Sequence, residues 1–288
     1  MFLNVEYAKI GVFHRLIFKM WGAKVKSIES NFLQSSVIFT EKCKRNLQAH
    51  LAKRKSVIDF ETLGRTLAYS PFLPRFEREF FARARANPPK NAIRFEIQGD
   101  FDEVGFLEMA SGAEQNGIRN GKHKSGGDMF LLDLRMQYMP CVSGDCVDSK
   151  VDSSTLGMAL ESISLLRRHS TLPIIHADLF VDSYQILESA LFGADSLLIP
   201  CGLHSAKTLS ELLQFARRLN LEPFVEVCDK DELKRAIFSG ASMLFIHKDS
   251  FETLLSLVPN SQIIATNHHN DYGVDVQILD SGADFSSF

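Results

Sequence analysis

Glu226 sits inside the run Pro223-Phe-Val-Glu-Val227, where every neighbour is apolar. Burying a carboxylate is costly unless it is paired or used, so packing alone gives no reason for it. A carboxylate held in such a place is suited to moving protons. Glu96 occupies a similar position in Phe95-Glu96-Ile97. It either pairs with a neighbouring base or works as a second proton carrier. Histidines end or follow other short apolar runs: His176, His204, His247, and the pair His268 and His269. An imidazole can gain or lose a proton near neutral pH and can bind an anion or a metal. The plain alternative is that these histidines are exposed loop residues. His176 with Asp178, and His268 with His269, are the adjacent ligand-like groups, but no metal-ligand spacing accompanies them. The expectation is therefore a site with no metal and no cofactor.

These residues gain meaning from the elements that carry them. Apolar, β-prone runs recur at Leu172–Ile175, Ser196–Ile199, Pro223–Val227, Met243–Ile246 and Gln262–Ala265, with a short last one at Asp284–Phe288. They are continuous rather than alternating, which suits strands buried on both faces of a parallel sheet. Helical patterns fill the intervals: Asp182–Phe192, Ser205–Leu219 and Asp229–Ser239. The first begins with an N-cap residue and stops at Gly193; the third carries acids early and a base late, as the helix dipole favours. Gly193-Ala194-Asp195, Gly240-Ala241-Ser242 and Gly282-Ala283-Asp284 each follow a helical pattern and precede a strand run. Such repeated βα units either close into a barrel or open into a doubly wound sheet. No G-x-G-x-x-G follows any strand run, which argues against dinucleotide binding.

The first half is less regular. Asn91–Gln98 reads as a first strand and Met129–Leu134 as a second, separated by the polar, Gly-rich stretch Gly112–Gly127. Leu51–Ala86 reads as largely helical, broken around Pro71 and Pro74.

Composition narrows the classes. The hydrophobic fraction of 45% and charged fraction of 23% are those of a globular protein with a core. A net charge of -3 gives no basic field for nucleic acid. The five cysteines have irregular spacings, which predicts reduced thiols in a cytoplasmic protein. Ile10–Trp21 is apolar but interrupted by His14, Arg15 and Lys19, so it predicts an amphipathic helix rather than a membrane span.

Leu172–Ile199, LPIIHADLFVDSYQILESALFGADSLLI, resembles the third strand, third helix and fourth strand of indole-3-glycerol-phosphate synthase. Leu221–Leu233, LEPFVEVCDKDEL, is similar to the family's fifth strand and the helix start after it. Phe76–Gln98 is similar to its pre-barrel helix and first strand. The likeness extends over residues 50–288 and is strongest at 172–246. It implies an α/β TIM (β/α)8 barrel, with residues 1–48 as an N-terminal helical extension and residues 49–288 as the barrel with its pre-barrel helices. It also implies a lyase that closes the indole ring of carboxyphenylamino-deoxyribulose phosphate with loss of carbon dioxide and water, in tryptophan biosynthesis. The small-molecule partner would then be that phosphosugar-anthranilate.

The resemblance assigns roles residue by residue. Glu226 and Glu96 match the family's strand glutamates and become the catalytic candidates. Asp178 matches the Asp of a Lys-Asp-Phe motif. His176, His247, Lys248 and Asn267 fall at substrate-binding positions, with Lys248 standing for the sixth-strand arginine. The departures are as informative. The general-acid lysine falls on Ala177, the first-strand lysine on Gln98, and the seventh-strand Glu-Ser-Gly on Thr266, Asn267 and His268. The family's Gly-rich phosphate loop and eighth helix have no counterpart before Phe288. This predicts a divergent member truncated at its C-terminal end, with its last βα unit incomplete and its exposed side covered by residues 8–21 or by a partner. It also predicts weak or absent synthase activity. The alternatives are a non-catalytic barrel remnant or interaction scaffold, and a barrel repurposed to bind metal through its histidines.

Overall fold

A computed structural model describes residues 41–72, 74, 77–82, 89–97, 101–115, 126–135, 153–269 and 273–281. Three helices precede the barrel: α1 (Glu41–Val57), α2 (Phe60–Leu67) and the short α3 (Arg78–Phe81). Helix α1 runs through position 48, and residues 1–40 lie outside the described residues.

Eight parallel strands follow and close into a barrel in the order of the chain. They are β1 (Lys90–Glu96), β2 (Met129–Asp133), β3 (Ile174–Ala177), β4 (Ser196–Pro200), β5 (Phe224–Val227), β6 (Met243–Ile246), β7 (Ile263–Thr266) and β8 (Val276–Asp280). Helices α4 (Glu103–Gln115), α5 (Ser153–His169), α6 (Ser183–Phe192), α7 (Ala206–Arg218), α8 (Lys230–Phe238) and the single turn α9 (Phe251–Leu254) alternate with them.

Alternation along each strand sorts the side chains. Ala92, Met129, Leu131, Ile175, Ala177, Leu198, Phe224, Met243, Phe245 and Ala265 fill the interior of the barrel with Val276 and Ile278. The opposite parity, such as Phe130, Ile199, Val225 and Leu244, is buried under the helices. This is why the strand runs read as continuously apolar. Phe81 of α3 enters from the N-terminal end and meets the Phe224 ring edge-on at 5.5 Å. The helices stop and start as their caps dictate. Asp182 and Gln185 form a capping box on α6, and Gly193 ends it in the left-handed region at φ 98°.

The acids that precede strands have a structural task. Asp195 takes the Ile174 N–H at 2.9 Å and is clamped by Arg167, while Asp128 takes the Asn91 N–H at 2.8 Å. Asp275 takes the Ile264 N–H at 2.8 Å. Each ties the start of one strand to the loop that enters its neighbour, at the end of the barrel where stability rather than chemistry is read. Helices α1 and α2 bury Leu47, Leu51 and Leu63 against Leu179, Tyr184 and Leu187 of the β3–α6 unit. Arg54 pairs with Glu188 there, and Lys55 with Asp182 at 2.7 Å.

The closing strand corrects the sequence reading. It is Val276–Asp280, which pairs with both β7 and β1, and not Asp284–Phe288. Val276 and Ile278 point into the barrel while Gln277 reaches the Thr266 carbonyl, so the segment alternates and lacks the continuous apolar pattern of the other strands. Gly282-Ala283-Asp284 therefore comes after the strand, outside the described residues. So does the expectation for the chain end.

Candidate active site

The C-terminal ends of the strands form the mouth where barrels carry their chemistry. Residues two apart on one strand share a face, so Arg94 and Glu96 on β1 both project inward, as do Asp133 and Arg135 at the end of β2. The Arg94 guanidinium donates through Nε to Asp133 at 3.1 Å, through Nη1 to Asp280 at 3.1 Å, and through Nη2 to Glu96. Arg135 donates through Nε and Nη2 to the two Asp133 oxygens at 2.9 and 2.7 Å, and through Nη1 to Glu226 at 2.9 Å. The Arg135 backbone N–H adds a bond to Asp133 at 3.1 Å.

One chain of ion pairs thus runs from Glu96 through Arg94, Asp133 and Arg135 to Glu226. Asp133, Arg94 and Arg135 are all buried, at 2%, 7% and 6% exposure. Burial alone would raise the Asp133 pKa; Arg135 and Arg94 outweigh it and hold this carboxyl well below the usual carboxylate range. Burial would likewise depress Arg135, but Asp133 and Glu226 win and push its pKa above the usual guanidinium value. Arg94 is shifted up in the same way, by Asp133 and Glu96 against burial. Both cations are permanently charged and fully engaged.

The structure brings the two predicted carboxylates together, since Glu96 and Glu226 belong to one network. It also shows what the sequence reading missed. Arg94, Asp133, Arg135 and Asp280 supply two cations and two further acids to the mouth. The signal was present as i, i+2 charge pairs at the ends of two strands, Arg94/Glu96 and Asp133/Arg135.

The other sequence candidates divide. His247 lies on the inward parity after Met243 and Phe245, is 3% exposed, and contacts the Asp249 carboxylate through Nδ1 at 3.1 Å. Asn267 accepts the Lys248 N–H at 2.8 Å, tying the ends of β6 and β7. Ala177, at the inward position that registers with Asp133, is completely buried. Thr266 donates its hydroxyl to the Ile246 carbonyl at 2.7 Å. His268 stacks on Phe251 at 5.0 Å, half-buried, and His269 is exposed. Gln98 lies outside the described residues. Among the described residues no group of three His, Cys, Asp or Glu could hold a metal ion.

His176 faces the other way. It projects from β3 into the helix layer, where Nδ1 meets Ser189 Oγ at 2.8 Å and the ring meets Phe180 edge-on at 5.2 Å. Asp178 lies on the same side, with Oδ2 3.9 Å from His176 Nε2 and Oδ1 accepting the Leu179 N–H at 2.7 Å. Burial pushes the His176 pKa down to about 3. The unfolded imidazole takes a proton near its ordinary pKa and the folded one does not. Stability from this residue is therefore full above pH 6.5 and is lost as pH falls from there towards 3. We expect His176→Leu to flatten the fall of the urea midpoint between about pH 6.5 and pH 4.5. Equal acid losses in both proteins across that window would rule out this role.

With the geometry described, comparison with known proteins is decisive. The indole-3-glycerol phosphate synthase of Campylobacter jejuni is 31% identical over 270 residues, covering 83% of this chain and 90% of the relative. The chain belongs to the indole-3-glycerol phosphate synthase family. The family model itself matches residues 151–276, from α5 to the start of β8. The Campylobacter hominis synthase is 32% identical over 227 residues, covering 74% of this chain and 78% of the relative. Among solved structures, a mutant tryptophan synthase alpha-subunit from Pyrococcus furiosus aligns with a TM-score of 0.48 at 13% identity, covering 67% of this chain and 88% of that one. In this chain the inward position at the end of β3 is a buried alanine, in register with Asp133, which Arg135 binds together with Glu226.

Proposed function

We propose that this chain binds the substrate of an indole-3-glycerol phosphate synthase and turns it over far more slowly than its relatives, as a cytoplasmic lyase of tryptophan biosynthesis. Arg135 carries the reading. It lies two residues beyond Asp133, the register partner of buried Ala177, and holds its guanidinium on Glu226 at 2.9 Å. A guanidinium can polarise a carbonyl by charge and hydrogen bonding, but it does not release a proton at physiological pH. Ring closure needs a group that gives a proton to the ketone oxygen and to the departing hydroxyl. A cation without a transferable proton meets only half of that need.

The carboxylates are constrained as well. Glu96 and Glu226 are each bonded to a buried guanidinium, which limits their freedom to reorient towards substrate. Among the described residues the mouth holds four acids against two arginines, and Lys248 is the cation there outside the ion network. Loss of one electrostatic donor costs roughly 10²–10³ in rate, and losses of this kind do not simply add.

Purified protein incubated with the substrate, followed by indole fluorescence, tests the rate. The melting temperature with and without substrate tests binding. A rise in melting temperature with turnover at least about 100-fold below an ordinary kcat of about 10 s⁻¹ is expected. Turnover at that ordinary rate would refute the reading. The second reading, a barrel kept as a scaffold, draws on the saturation of the ion network; it expects neither binding nor turnover.

A further inference from the structure

His247 is an inward-facing titratable group of the mouth that the Arg94–Arg135 network leaves out. Its ring is held from one side only. The Asp249 carboxylate lies 3.1 Å from Nδ1, and the Asp249 backbone N–H approaches the same nitrogen at 3.4 Å. The carboxylate contact is satisfied by a proton on Nδ1. The other nitrogen, Nε2, is buried and has no hydrogen-bond partner among the described residues. A buried polar atom left without a partner costs on the order of 1–3 kcal/mol and usually marks a place where a ligand atom belongs.

The surroundings point the same way. The groups whose charge His247 feels are Asp249 and Lys248 on its own loop, Glu226 on β5 and Arg94 on β1. Across the β7 end it faces the uncharged Thr266 and Asn267. Burial depresses its pKa, while Asp249 and Glu226 favour the charged ring. An imidazole oriented by a carboxylate and within the field of the strand-end glutamate is suited to acid–base work.

We infer that His247, oriented by Asp249, is the proton donor of the mouth, in place of the lysine that Ala177 replaces. This rests on the proposed binding of the synthase substrate. In the dehydration that completes the indole ring, the imidazolium Nε2–H bond breaks as an O–H bond forms on the departing hydroxyl. The C–O bond breaks with its electron pair leaving on oxygen as water, while the adjacent ring C–H bond gives its electron pair to the new double bond and its proton to solvent water. The neutral imidazole remains with its Nδ1 proton on Asp249 and is reprotonated from solvent. Asp249 is a positioning residue, since it acts on the ring and not on the substrate.

The residual turnover therefore requires the protonated ring, whose population grows as pH falls. The wild-type rate should rise as pH falls and go on rising below about pH 6.5, because burial holds the imidazole pKa below its ordinary value. H247N should lower it by about 10²-fold and leave a flat profile. D249N, at a side chain 46% exposed and so tolerant of change, should move the rise to lower pH without that loss of rate at its optimum. Substrate binding, read as the shift in melting temperature, should change little in D249N. An H247N rate and pH profile equal to wild type would overturn the inference. So would substrate binding with no measurable turnover, which leaves the proposed binding function intact. Absence of any binding would instead refute that function and this inference with it.

Discussion

Arg135→Met should be among the most destabilising single substitutions in this chain. It leaves Glu226 buried without the guanidinium that now satisfies it at 2.9 Å, and it strips two side-chain hydrogen bonds from Asp133, keeping the Arg94 contact and the backbone N–H bond, both at 3.1 Å. Removing one partner of a buried ion pair typically costs about 3–5 kcal/mol, because the remaining charge stays desolvated. For a barrel of this size that corresponds to a drop in melting temperature of roughly 6–20 °C. Surface pairs give the contrast. Glu61 and Arg65 form an exposed i, i+4 pair on α2, and breaking it should cost no more than about 0.5 kcal/mol. If R135M melted within about 2 °C of wild type, the mouth network would not be the closed, desolvated structure described here. The pH dependence carries the same test. The Asp133 pKa is depressed in the folded state, so its contribution is complete above its unfolded value near 4 and is lost as pH falls below it. R135M should remove most of that acid-side dependence.

The barrel was legible in the sequence because each βα unit repeats its own punctuation. Asp182, Ser205 and Asp229 cap the helices that their positions imply, and Gly193 takes the left-handed conformation that its place after α6 requires. Glu96 and Glu226 stood out because carboxylates in apolar runs are conspicuous. The partners were not legible for a physical reason. Arg94 and Asp133 each read as an ordinary charge near a strand, and what makes them a site is the pairing of β1 with β2, which puts Glu96 opposite Asp133. Register between strands is long-range information that single-strand periodicity does not carry. His176 was misplaced for the converse reason. Its position at a strand end is right, but alternation sends it to the helix face, one residue before the inward Ala177. The last strand was missed because Gln277 breaks the apolar run that marked the other seven.

The relation between Ala177 and Arg135 can be tested directly, because each substitution predicts the consequence of the other. Ala177 is fully buried at the inward position in register with Asp133, so a lysine placed there projects towards the Asp133–Arg135 ion pair. Ala177→Lys alone adds a third cation to a network already satisfied and overpacks the interior, at a cost of about 1–3 kcal/mol. Its ammonium then has no acid to itself, and turnover should gain less than about tenfold. Combined with R135M the result should invert. The new lysine can take both Asp133 and Glu226, so the double variant should be at least about 2 kcal/mol more stable than the sum of the single effects allows. Unlike a guanidinium, an ammonium beside these carboxylates has a proton that it can transfer. Turnover measured by indole fluorescence should then exceed wild type by about 10²–10³-fold, the usual worth of a restored donor at the reacting centre. Simple additivity of the two stability changes would mean that Arg135 does not occupy the lysine's place. A stable double variant with no gain in rate would mean that the missing acid is not what limits this barrel.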